Sequence, residues 1–92
     1  MDNYEKLRDA CYAASGAFEK IGGEEHKDIR SKLDYCVGSY DYDRNPVGLM
    51  EFGGKALEIL KEAKLRNPRK VNKKVIADLE RWLMEASGKN KK

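Results

Sequence analysis

Ninety-two residues, 40% hydrophobic and 38% charged, make one small domain with apolar mass for a packed core and little to spare. The net charge of +3 is too low, and the apolar residues too regular, for a disordered chain. No stretch approaches the roughly 20 apolar residues of a membrane span, and no signal-peptide pattern opens the chain. Cys11 and Cys36 are therefore expected as reduced thiols in a cytoplasmic protein.

The first helix is predicted over 3–20, with Asp2 as its cap and Glu5 completing a capping-box pattern. Tyr4, Leu7, Cys11, Ala14, Phe18 and Ile21 recur by three and four residues and share one stripe. Ala10, Ala13, Gly16 and Ala17 flank it and are small enough for a neighbouring helix to come close. Gly22-Gly23 breaks the chain. A second helix follows over 24–40, with Glu24 and Glu25 at the positive end of its dipole. Ile29, Leu33, Cys36, Val37 and Tyr40 point inward. So short a turn makes the two helices antiparallel neighbours. Counting outward from it sets Cys11 and Cys36 at similar heights, facing each other as buried, inert thiols.

Residues 40–46 read as a connector, with Asn45 capping a third helix over 46–65 and Pro46 at its first position. Leu49, Phe52, Ala56, Ile59 and Ala63 form one stripe, widened by Met50, Leu57 and Leu60. So broad an apolar face places this helix at the centre of the bundle. Gly48, Gly53 and Gly54 each cost about 1 kcal/mol in a helix interior. They are expected to allow close approach to the small-residue face of the first helix. Asn67-Pro68 ends the third helix. A fourth is predicted over 70–86, its start open between Pro68 and the position after Asn72, with Val75, Ile76, Leu79, Trp82, Leu83 and Ala86 inward. The expected fold is all-α: a four-helix, antiparallel, up-down-up-down bundle over 1–87, with a flexible basic tail, 88–92. Arg-Asn-Pro occurs at 44–46 and 66–68 as a reused cap, since the flanks do not repeat.

Charge is unevenly shared. Residues 1–44 carry seven bases and ten acids; residues 45–92 carry twelve bases and six acids. Residues 61–74 alone hold seven bases against Glu62, at a helix–helix corner. Lysines at a helix start oppose the dipole, and an anion would relieve them. Lys64, Arg66, Arg69, Lys70, Lys73 and Lys74 are the candidate contacts, and nucleic-acid phosphate is the commonest partner for such chemistry. Helical spacing offers the pairs Lys61–Glu58, Arg66–Glu62 and Lys74–Asp78, leaving Lys64, Arg69, Lys70 and Lys73 without local partners. The competing explanation is a solvated face.

Tyr12, Tyr35 and Tyr42 fall off the inward stripes and form a candidate protein interface, for an acidic or other protein partner or for a homodimer. Asp41, Asp43 and Asn45 alternate like the opening of a calcium loop. Pro46 stands where that loop needs its turn glycine, and Phe52 where it needs glutamate. His26, beside two glutamates at a helix start, is expected to be exposed, and no second histidine or Cys-x-x-Cys completes a metal set. No catalytic residue, cofactor or metal is assigned. Two functions remain: a non-enzymatic module gripping nucleic acid or another acidic partner at the basic corner, and a protein–protein adaptor or homodimer.

Overall fold

Apolar residues recurring every three or four positions wind the chain into four helices. The computed structural model describes residues 4–87. Within it α1 spans Tyr4–Ile21, α2 Lys27–Asp43, α3 Val47–Arg66 and α4 Lys73–Ser87, with no strand among the described residues. The fold is the expected all-α four-helix bundle. The Asp2 cap and the basic tail, 88–92, lie outside the described residues.

Four pairs fix how α1 lies on α2. Glu5 meets Arg44, Arg8 meets Asp41, Ser15 meets Asp34 and Glu19 meets Arg30. In each pair the two residue numbers total 49, so the helices run antiparallel in one unbroken register. The positions used on α1 step by three, seven and four, the 3–4 spacing of helices crossing at a shallow angle. Inside this polar seam Leu7, Cys11, Ala14 and Phe18 pack against Ile29, Leu33, Cys36 and Tyr40 in the core. Each exposed ion pair contributes at most about 1 kcal/mol. Their value is in register more than in strength.

Gly22 and Gly23, at φ 77° and 91°, make the turn between these helices. Gly22 donates its N–H to the Phe18 carbonyl at 2.9 Å, and only glycine enters this left-handed conformation without strain. One 3-10 turn, Glu24–His26, then leads into α2, so the second α-helix starts at Lys27 and not at 24. His26 is a correction: it is buried, not exposed. Its ring stacks on Phe18 with centroids 5.2 Å apart, and Nδ1 lies 3.0 Å from the Gly22 carbonyl oxygen. The histidine plugs the turn end of the core.

α2 runs three residues past the expected end at 40. Arg44 closes it in the left-handed region, φ 63°, with its N–H on the Tyr40 carbonyl at 2.7 Å. Asn45 lies one residue before the cap of α3, and its Oδ1 accepts from Val47 N–H at 3.1 Å in the turn that leads into the helix. Pro46 is the residue before the helix and not its first position. α4 begins at Lys73, just after Asn72, the later of the expected starts. Lys70 N–H is held in a turn by the Asn67 carbonyl, and Asn72 supplies the cap to Lys74 N–H at 2.8 Å.

The centre is shared. α1 and α3 each touch all three other helices, and α2 and α4 flank them. α1 buries seven residues and α3 five, while Met50, Phe52, Leu57 and Ile59 of the broad α3 face are only half-buried. The α3 glycines also serve differently from expectation. A Cβ on Gly48 would stand 2.9 Å from Cys36 Cβ, so this glycine admits α2 and not α1. Gly53 sits against Cys11 Sγ and Leu83, and Gly54 faces open space.

Candidate nucleic-acid interface

The basic corner is built by one lysine from within. Lys64, in the last turn of α3, donates from Nζ to the carbonyls of Pro68 at 3.2 Å and Val71 at 3.1 Å. Those carbonyls belong to the turn that leads to α4, and Val71 is buried beneath them. Lys64 therefore holds the corner's shape and does not present its charge outward. These two bonds set it apart from the other candidate contacts.

The other cations separate. Lys61 pairs across to Glu80 on α4 at 3.5 Å, and not with Glu58 on its own helix. Lys74 pairs with Asp78 at 3.2 Å, as its spacing predicts. Arg66 forms no ion pair with Glu62 among the described residues. It lines a small pocket beside Ile21, Glu25 and His26, away from the others. Arg69, Lys70 and Lys73 remain exposed with no acid partner among the described residues.

Two of these three meet a cation the sequence reading did not include. Arg69, Lys70 and Asn72 of the turn, with Val75 of α4, form one wall of a groove of about 620 Å³. The other wall is α1, through Ala13, Gly16, Ala17 and Lys20. No Asp or Glu lines it among the described residues. Ala13 and Gly16 were expected to receive a neighbouring helix. They are exposed instead and line the groove. Small residues give the groove its depth, and Lys20, Arg69 and Lys70 give it its charge. The signal for Lys20 was present: Ala13, Gly16, Ala17 and Lys20 lie at i, i+3, i+4 and i+7 on one face of α1. Its relation to residues far along the chain was not.

Three like charges lining one groove repel each other, and salt screens that repulsion over a Debye length of about 8 Å at physiological strength. An anion bound among them removes that repulsion. Lys73 stands at the first turn of α4, where the helix dipole adds positive potential.

The tyrosines do not converge. Tyr35 and Tyr42, 75% and 90% exposed, are seven residues apart and share the outward side of α2. Tyr12, 63% exposed, stands on α1 with the Arg8 guanidinium 5.7 Å over its ring. No ring contact joins the three among the described residues. The 40–46 segment is structural: Asp41 binds Arg8, Asp43 accepts from Asn45 N–H at 3.0 Å, and Asn45 Oδ1 accepts from Val47 N–H at the entry to α3. Among the described residues no three His, Cys, Asp or Glu side chains gather where they could hold a metal ion, and no helix is long and apolar enough to cross a membrane. No protein-family model, curated protein or solved structure matches the chain.

Proposed function

We propose that this protein is a non-enzymatic binding module that holds the phosphate backbone of a nucleic acid in the groove between α1 and the α3–α4 corner. Lys20, Arg69 and Lys70 contact phosphate, and Lys73 adds charge at the rim. The observation that carries the reading is the acid-free groove lined by those three cations. Its walls offer no aromatic platform and no helix aimed at base edges, so recognition is by charge and shape, without a sequence preference. A titration of a labelled single-stranded oligonucleotide, with polyglutamate as competitor, tests it. Oligonucleotide binding that is lost on Lys70→Glu/Lys73→Glu supports the reading. Equal binding of polyglutamate moves the partner class to acidic protein.

A second reading rests on a different observation. Tyr35 and Tyr42 are large, exposed and on one side of α2, with Gly38 bare between them. Such a strip suits a homodimer contact. Light scattering across a concentration series tests it, with a constant monomer mass as the contrary result.

A further inference from the structure

We propose that Cys11 and Cys36 form an intramolecular disulfide-forming site, which small peroxides convert to a covalent bridge between α1 and α2. The bundle sets the pair up from three sides. The α1–α2 register sets Cys11 opposite the stretch of α2 that holds Cys36, both on the core side of the polar seam. Both are free thiols and essentially unexposed, at 0% and 2%. α3 closes over them through glycines: a Cβ on Gly53 would stand 3.3 Å from Cys11 Sγ, and one on Gly48 2.9 Å from Cys36 Cβ. Cys36 donates to the Leu33 carbonyl at 3.3 Å, and Cys11 lies 3.8 Å from the Leu49 carbonyl. The Asp34 carboxylate, which accepts from Ser15, is near enough to oppose ionisation of Cys36, and Cys11 and Cys36 are the two free thiols of the core.

The pair is also chemically unequal. The interaction with Cys11 holds Cys36 below the ordinary thiol range, against the opposing effects of burial and of the Asp34 carboxylate. The same interaction, together with burial, pushes Cys11 well above it. Cys36 therefore ionises first and Cys11 keeps its proton.

The reaction balances with one peroxide. The Cys36 thiolate attacks one oxygen of hydrogen peroxide, the O–O bond breaks and hydroxide leaves, giving a sulfenic acid. Cys11 sulfur attacks that sulfur, the S–O bond breaks, and water leaves with the Cys11 proton. The hydroxide takes up the proton Cys36 released. Two thiols and one peroxide become one disulfide and two waters. Because neither thiol is exposed, peroxide enters through openings of the bundle, and the closed bridge then restricts those openings.

The test treats the full chain with dilute hydrogen peroxide, then denatures it, alkylates free thiols and measures intact mass. The expected result is joint loss of both thiols with a mass decrease of about 2 Da, reversed by dithiothreitol. The oxidised chain should melt roughly 10 °C higher than the reduced one, since the bridge closes a loop spanning the α1–α2 hairpin. Cys36→Ala should show neither change. If that variant does not fold, the mass measurement on the unaltered chain decides alone. One cysteine gaining oxygen while the other still alkylates, bridges only between chains, or two thiols that survive treatment would each overturn the proposal.

Discussion

Lys20 at the end of α1 and Lys70 in the α3–α4 turn line one groove, and no acid shares its wall among the described residues. They are far apart in sequence and brought together by the corner after Arg66. That corner is itself held by a third lysine, Lys64, pointing inward. One stretch of basic residues thus divides into a part that makes shape and a part that presents charge.

Lys64 should behave as a structural residue. Replacing it with Met keeps the apolar stem and removes both carbonyl bonds. The expected loss is about 1–2 kcal/mol, since a charged donor to two carbonyls is stronger than a neutral one but this one is only partly buried. Urea unfolding at neutral pH measures it. Unchanged stability would mean that the corner holds without the lysine.

The helix glycines give a paired prediction of opposite sign. Gly48→Ala puts a Cβ 2.9 Å from Cys36 Cβ, which belongs to a packed helix and cannot swing aside. It should cost roughly 2 kcal/mol as overpacking. Gly54→Ala meets open space in the same helix and should stabilise by about 0.5–1 kcal/mol. Thermal melts of both variants, side by side, check the contrast.

Much of this architecture was legible in the sequence. The apolar stripes located all four helices, and counting from Gly22-Gly23 placed Cys11 and Cys36 together, because spacing alone determines both. The missed features depend on tertiary partners. His26 looks like a solvated helix-start residue until Phe18 supplies a stacking surface and Gly22 a carbonyl. Lys64 looks like a free charge until the turn at Pro68 and Val71 presents its carbonyls. Ser15, buried and donating to Asp34 at 2.6 Å, drew no notice, since serine between small residues carries no periodic signal. Lys20 looks like a solvated helix end until the α3–α4 turn brings Arg69 and Lys70 to the same groove.

The seam predicts a pH response. Arg8 donates from two nitrogens to both oxygens of Asp41, at 3.0 and 2.9 Å, and these bonds hold the Asp41 carboxyl below the ordinary range. A carboxyl lowered in the folded state stabilises the fold above its unfolded pKa of roughly 4. That contribution fades as pH falls through the lower, folded value. Asp41→Asn should therefore flatten the loss of stability on acidification below about pH 4. Urea midpoints for both chains over that window test this. The difference should shrink at high salt, because the pair is exposed.

The central claim is that Lys20, Arg69 and Lys70 act together on one anionic strand. The most direct measurement is the affinity for a labelled single-stranded oligonucleotide between about 50 and about 200 mM salt. It compares the unaltered chain with Lys20→Glu/Lys70→Glu, and with Lys6→Glu as a surface control. With three phosphate contacts, log affinity should fall against log salt with a slope near −2. The double variant should lose at least about tenfold and show a shallower slope, while the control stays within about twofold. Binding that ignores salt, or a double variant that binds as well as the unaltered chain, would contradict the account.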